Sequence, residues 1–504
     1  MDAPLVERHS KQILGVLSCF DRVVITGTLP EICHAQAMSA HLRSKGFRLF
    51  DYTQFAEPFR EEIRGHAERL AAESGLAIEF IQRKSFRKED RIQDLLRTRG
   101  DHPGLVHIFS AMEPCSSFKP WHNKQTGQTY LRSSEAKCLH YYFYFILEDL
   151  GLCYLRVPTW APFRLQFYYN GHNQLANQLR KAGIGFHLID NAFVSIEDFE
   201  QAQRLSDGLR ADVLHRTLDK VAHWLCPVAT QFNGGYHWSL MQLEYATDIV
   251  FRSPEDLKPL YEAMVRTAIH AVKPEHVATF LGRKLDEQSE VGNDFHTRIE
   301  GTRIKHHLGR NSIKMYDKLG RVLRIETTSN DVTSFKHHRR VEHRDGTWTM
   351  KNAQVRKTIY SLPDLQDLMR AANRRYLEFL SALEDPTDGI KNLEKLSRKA
   401  HDGQRTHRGF NLFDGEDRAV FEAIVRGEFD ISGFQNRHLQ DLLPDKNAGQ
   451  ISRVLKRLRT HGLVKKIGRT YKYYVTQLGQ RVICAALTVR RLIVIPALAK
   501  EIPI

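Results

Sequence analysis

No CxxC pair occurs among the seven cysteines, which lie scattered at Cys19, Cys33, Cys115, Cys138, Cys153, Cys226 and Cys484. That spacing signals neither a zinc ribbon nor a disulfide framework, and it fits reduced thiols in a cytoplasmic protein. GxGxxG and GxxxxGK[ST] are both missing, so no dinucleotide or P-loop phosphate site is expected. Long apolar runs are missing too. The most apolar stretch, 482–499, is broken by Arg490 and Arg491. It makes a poor membrane span and reads as a packing or homodimerisation helix. The first residues mix Glu7, Arg8 and His9 with apolar positions and lack a secretory core, so no export signal is expected. Nor is there an acidic excess. The 504 residues carry a formal charge of +15 and a pI near 9.4. A chain this basic attracts polyanions, nucleic acid first among them, and a membrane partner is not expected.

What is present is ordinary globular composition, 42% hydrophobic and 26% charged, at a length that suits two to four domains. Residues 1–112 alternate short apolar runs (22–28, 47–52, 76–82, 104–109) with amphipathic stretches, which predicts an α/β domain with a parallel sheet. Residues 113–235 form an aromatic-rich α+β region. It opens on a polar loop over 113–135, where Lys119, Trp121, His122, Lys124 and Tyr130 mix charge with aromatic rings. Three aromatic runs then predict an antiparallel meander, and Asn170 or Asn173 caps a helix. Residues 236–384 read as a sheet domain: a strand over 239–251, a helix capped by Ser253, three further strands, and a closing helix over 361–383. A polar linker, 385–410, leads to a last domain at 411–504.

In that last domain Asp414 opens one helix, Asn436 a second and Asn447 a third. The third carries Ile451, Val454, Leu455 and Leu458 on one side and Arg453, Lys456, Arg457 and Arg459 on the other. A hairpin with Lys465, Lys466, Arg469 and Lys472 follows, so 445–475 holds nine Lys or Arg against one Asp. The order resembles the winged helix-turn-helix of the MarR-like regulators. That resemblance implies a helix in the major groove and wing cations on phosphates. The alternative is a protein-interaction winged helix.

The sheet domain reads LEYATD at 243–248, KMYDK at 314–318 and RVLRIET at 321–327. Strand alternation puts Glu244, Ala246 and Asp248 on one face, and a tight turn at 317–320 pairs the strands of Tyr316 and Glu326. Carboxylates converging there would bind Mg²⁺ or Mn²⁺ through hard oxygens. This order of motifs resembles the rolling-circle replication initiators, whose pattern is an acidic strand D-x-A-x-D, a helix, then Y-[DE]-K and R-x-E. The resemblance implies a palm-like antiparallel sheet, a metal held by Glu244, Asp248 and Glu326, and Lys314, Lys318 and Arg324 against a DNA strand. Where the family places its nucleophilic tyrosine this chain has His306-His307. Tyr316, Tyr245 or Tyr236 then serves as nucleophile, or His307 acts as base or ligand, or the site binds without cutting. Among 25 histidines only His296, His306 and His307 are singled out. Two functions follow: a metal-dependent strand-nicking and joining protein of a replicon or mobile element, or a non-enzymatic DNA- or RNA-binding regulator. DNA is the favoured target and RNA the alternative.

Overall fold

The computed structural model describes residues 4–495 apart from 84, 286–289, 299–300, 344, 382–395, 404, 412–413, 428, 430–432 and 469. The run ILGVLSCFDRVVITGT is apolar on both alternations, which suits a strand covered on both faces. It forms β1 (Ile13–Thr28), in the middle of an eleven-stranded mixed sheet. After two helices, Ala35–Ser44 and Tyr52–Glu73, come β2 (Ile78–Phe80), β3 (Gly104–His122), β4 (Thr129–Leu147), β5 (Gly151–Pro158) and β6 (Leu165–Tyr169). A small hairpin, β7 (Phe186–Ile189) and β8 (Ala192–Ile196), precedes β9 (His237–Phe251). Helices Pro254–Ala271 and Pro274–Phe280 lead to β10 (Val291–Arg298), β11 (Gly301–Leu308), β12 (Asn311–Lys318) and β13 (Val322–Ser329).

The sheet order is β10-β11-β12-β13-β9-β1-β6-β5-β4-β3-β2. β1 and β9 pair antiparallel along nearly their whole length. Each begins a unit with one path: a long strand, a helical excursion, then a four-stranded meander whose last strand returns beside the first. The chain therefore carries the same path twice, joined at β1–β9, with β2 added in parallel at one edge. One face is thickly covered. Helices 35–44, 52–73 and 211–225 bury Val23, Ile25, Phe143 and Phe167 in the first unit. Helices 254–271, 274–280 and 362–381 bury Ile249, Ile313, Leu323 and Ile325 in the second. The other face is covered only in parts. Helices Gly171–Lys181 and Phe199–Asp207 lie over Leu17 and Cys19, and Lys88–Arg99 lies over Phe109 and Tyr144. The polar side chains of the sheet gather between those roofs.

Several expectations change. The boundary at 112 falls inside β3, and the N-terminal strand sits beside β9, so 1–112 and 236–384 contribute to one sheet. Pairing between β3 and β4 is antiparallel, and the expected parallel sheet reduces to the β2–β3 contact. The polar loop 113–135 is mostly strand, because Phe118 and Leu131 turn inward and pull their polar neighbours into the ladder. The run 47–52 is a helical turn leading into the next helix. The antiparallel meander β4-β5-β6 and the caps at Asn170 and Ser253 are as read from the sequence. Much of the linker, 382–395, lies outside the described residues, while Leu396 and Phe410 are already buried in the C-terminal core. That core unites helices Gly415–Ile424, Asn436–Leu442, Ala448–Thr460 and Gln477–Val489 with a hairpin of Val464–Lys466 and Tyr473–Val475. Of the apolar stretch 482–499, Val482, Ile483 and Ala486 pack inward, and 496–499 lie outside the described residues. Among the described residues no helix is long and apolar enough to cross a membrane.

The seat of helix Gly171–Lys181 against β1 gives a first prediction. A Cβ on Gly171 would stand 2.1 Å from the backbone oxygen of Phe20, a contact that only displacement of the helix or strand relieves. Gly171→Ala should cost about 1–3 kcal/mol in urea unfolding, the usual range for overpacking. Wild-type stability in that variant would contradict the packing.

Candidate active-site cleft at the β1–β9 junction

Register brings the polar groups together. Across β9 and β13, Glu244 faces Thr328, Ala246 faces Glu326 and Asp248 faces Arg324. Across β13 and β12, Glu326 faces Lys314 and Arg324 faces Tyr316. On the other side of β9, Phe20 opposes Tyr245 and Arg22 opposes Glu244, which leaves Asp21 as the extra residue of a β-bulge. A bulge re-aims its side chains. Here it adds Asp21 to the face of Glu244 and Glu326, and oxygens of these three carboxylates all lie within 4.8 Å of one another. Among the described residues this is the one such cluster of acidic, histidine or cysteine ligands.

Each carboxylate has a different environment. Glu326 is buried; it accepts from Lys314 Nζ at 2.6 Å and from the Tyr316 hydroxyl at 2.7 Å. Glu244 accepts from Gln242 at 3.4 Å and lies 3.8 Å from Lys314 Nζ. Burial, together with the negative charge of Glu326, pushes the Glu244 carboxyl up to about 7. Asp21 goes the opposite way. Burial opposes its charge, but His172, Arg324 and Asn191 outweigh that and hold it well below the usual carboxylate range. Its contacts are His172 Nδ1 at 3.0 Å, Asn191 Nδ2 at 2.5 Å and Asn170 Nδ2 at 3.3 Å. Burial and Glu326 raise the Tyr316 phenol well above its ordinary value.

Asp248 belongs to an adjoining network and stays outside the carboxylate cluster. Arg324, with 0% exposure, binds it with two 2.6 Å hydrogen bonds through Nε and Nη2. Nη2 also donates to the Asn191 carbonyl at 2.6 Å and lies 2.9 Å from His172 Nε2. Nη1 has no hydrogen bond and stands 3.6 Å from Asp21. Burial works against a charge on His172, yet its bonds to Asp21 and Asp248 hold its pKa well above normal. Two carboxylates thus meet one guanidinium and one imidazolium, which balances the buried charge. Lys318 is half-buried at the edge of the network, where burial and Arg324 lower its pKa.

Of the sequence-predicted residues, then, Glu244, Glu326, Lys314 and Tyr316 come together. Asp248 is paired away with Arg324, and Arg324 is too deeply buried to meet a nucleic-acid strand. His307 shares the face but lies two strands from Glu326, roughly 10 Å at about 4.8 Å per strand. Its ring packs on Gly292, with Asp294 at 3.8 Å. His306 points into the covered face, between Asn293 and Tyr376. Tyr245 and Tyr236 are buried elsewhere, bonded to Arg370 and to the Phe163 carbonyl. His296 lies on β10. In the C-terminal unit Arg453, Arg459, Lys465 and Lys472 are exposed, and Lys456 and Lys466 are half-buried. Arg457, expected to face outward, instead binds Asp417 at 2.7 Å and stacks 3.7 Å from the Phe410 ring, because its side chain bridges 408–410 to the first helix. Arg469 lies outside the described residues. The sequence reading missed Asp21, Asn170, His172 and Asn191. A charged pair, Asp21-Arg22, inside an otherwise apolar strand run was the available signal.

No family model matches the chain, and no curated protein sequence matches it. Among solved structures it is similar to a rolling-circle replication initiator protein from Geobacillus stearothermophilus. The identity is 9% over 63% of this chain and 75% of that one, with a TM-score of 0.18.

Removing the guanidinium would leave Asp248 buried without a cation. Arg324→Met should therefore cost about 3–5 kcal/mol in urea unfolding. Asp248→Leu combined with Arg324→Met should recover much of the loss. Less than about 1 kcal/mol for the single change would show that the pair is not the buried anchor described here.

Proposed function

We propose that the chain binds nucleic acid, DNA in first place, and processes one strand in the β1–β9 cleft with a divalent cation held by Asp21, Glu244 and Glu326. The observation that carries this reading is the approach of three carboxylates within 4.8 Å on one sheet face. Three hard oxygen donors suit Mg²⁺ or Mn²⁺ better than a softer metal. The elevated Glu244 pKa marks a site short of positive charge. Such a cation, when bound, supplies charge stabilisation for a phosphate undergoing displacement.

The chain's own groups have definable tasks. Tyr316 is the candidate nucleophile, with its hydroxyl already donating to Glu326. Attack of that oxygen on phosphorus would form a phosphotyrosyl bond and break the bond to the 3′ oxygen of the leaving strand; the phenol proton would pass to Glu326, and the 3′ oxygen would leave as a hydroxyl after taking a proton from solvent. Lys314 would steady the phosphate. Beyond Glu244 on the same face a cavity of about 250 Å³ is lined by His140, Arg156, Trp160, Arg164, Gln166 and Met241. It offers cations and an indole ring to a strand leaving the cleft. The C-terminal unit is read as a winged helix that presents Arg453 and Arg459 from its third helix and Lys465 and Lys472 from its hairpin.

One observation favours a second reading. Lys314 Nζ already stands between Glu244 and Glu326, where it neutralises the cluster. With the lysine as permanent counter-ion, the cleft would hold a strand without cutting it. This is the non-enzymatic binder.

A metal titration separates the two. A proton on Glu244 competes with the cation, so Mn²⁺ affinity should climb about tenfold per pH unit below 7 and level off above it. Glu244→Gln should remove that pH dependence, and Glu326→Gln should abolish Mn²⁺-dependent nicking while sparing binding. No thermal shift with millimolar Mn²⁺ at pH 8 would select the binder. For the C-terminal unit, Arg453, Lys465 and Lys472 changed together to Ala should lower the slope of log affinity against log salt by roughly 2 to 3. An unchanged slope would point to a protein-interaction module.

A further inference from the structure

After β13 the chain leaves the sheet and forms a separate two-stranded ribbon, β14 (Lys336–Glu342) and β15 (Trp348–Gln354). A two-stranded ribbon has no core of its own and is marginal in water. This one is rooted firmly. The Val355 N–H donates to the Phe335 carbonyl at 3.0 Å, and the Leu240 N–H donates to the Lys357 carbonyl at 2.6 Å. Beyond the root it is free on one side. Lys336, His338, Arg340, Trp348, Met350 and Asn352 share one exposed face by register. Trp348 is 52% exposed and Met350 51%, and the Arg340 guanidinium lies 4.4 Å from the Trp348 ring centroid. Over 336–357 the sequence carries seven Lys or Arg against two acids.

We propose that this ribbon is a second nucleic-acid-binding element, which enters a groove of duplex DNA beside the cleft. Three observations converge on that occupant. The exposed face carries Lys336 and Arg340 against one acid, Glu342 opposite Trp348, so its net charge is complementary to phosphate. Its seven-residue strands span about 23 Å at roughly 3.3 Å per residue, and a major groove about 12 Å wide admits a two-stranded ribbon. An exposed indole braced by an arginine suits base edges or sugar faces better than water does. Placement fits as well. The ribbon is rooted at Leu240, four residues before Glu244 on β9, or about 13 Å along the strand.

The inference rests on the nucleic-acid reading above, and its test distinguishes the two. Affinity and salt slope are measured for the full chain on a fluorescein-labelled mixed-sequence DNA duplex. Single-stranded DNA and phosphatidylserine vesicles serve as parallel probes. Changing Lys336 and Arg340, the two cations of the exposed face, together to Ala should weaken duplex binding severalfold or more and lower the salt slope by roughly 2. Trp348→Ala should weaken binding with the slope unchanged. The melting temperature should hold, since the ribbon lies outside the sheet. If the double variant melts early, the single charge reversal Lys336→Glu carries the same expectation with a smaller loss. Wild-type affinity and slope in both charge variants would overturn the ribbon inference and leave the proposed function standing. Failure of the wild-type chain to bind any nucleic acid would overturn both. Ribbon-dependent binding to vesicles in place of DNA would overturn the ribbon inference too.

Discussion

The Arg324 guanidinium is the point at which four separate pieces of chain are held together. It rises from β13, clamps Asp248 on β9, donates to the backbone of Asn191 after β7, and abuts His172 at the start of the helix that follows β6. A cation at 0% exposure is stable only when its surroundings replace water. Two carboxylates and a backbone carbonyl do so. The consequence reaches the cleft, because the His172 and Asn191 that border Arg324 also fix Asp21. The position of one cluster ligand is therefore set by a network whose centre is elsewhere.

That dependence follows from the doubled path of the chain. Two units that each return their last strand to their first leave a seam where the first strands meet. At the seam, strand residues from both units become neighbours, and the cleft lies on it. The units are unequal in what they bring. The second supplies Glu244, Glu326, Lys314 and Tyr316, whereas the first supplies Asp21 through a bulge. Farther along the same face the first unit has its own carboxylate set: Glu113 accepts from Tyr142 at 2.7 Å and pairs with Arg156 at 2.8 Å. There a tyrosine and cations surround a single acid, and no second carboxylate joins it. The same chemistry of glutamate, tyrosine and base thus gives an ion pair in one unit and a charge-deficient cluster in the other.

The sequence made the second unit legible and the first misleading, for a physical reason. Alternation over 243–248 and the tight turn at 317–320 are local signals: the first put Glu244 and Asp248 on one face, and the second paired the strands of Tyr316 and Glu326, as the register has them. Leu319 and Gly320 indeed adopt the left-handed conformation that such a turn requires. The pairing of β1 with β9 joins residues more than two hundred positions apart, and nothing in either strand announces its partner. Asp21 was invisible as a member of the carboxylate cluster because its direction depends on a bulge set by that distant pairing. Asp248 failed for the opposite reason. Its face was right, but the cross-strand neighbour on that face is an arginine, and a buried carboxylate takes the nearest cation. Arg457 failed likewise, drawn inward by Asp417 from a residue span that spacing alone assigned to solvent.

The electrostatics of the whole chain constrain how a phosphodiester could reach this floor. On the proposed function, a net charge of +15 would draw nucleic acid to the exposed lysines and arginines first, and salt would weaken that attraction. The floor of the cleft repels it, since Asp21 stays ionised and Glu326 lies buried beside it. Lys314 covers part of that charge, and a proton on Glu244 covers more near neutral pH. Above pH 7 the proton is lost, and the deficit must be met by a cation from solution or by withdrawal of the strand. On the proposed function, affinity and chemistry would therefore be carried by different parts of the molecule: cationic surfaces would hold the duplex, and the state of a few carboxylates would decide whether a strand could settle between them.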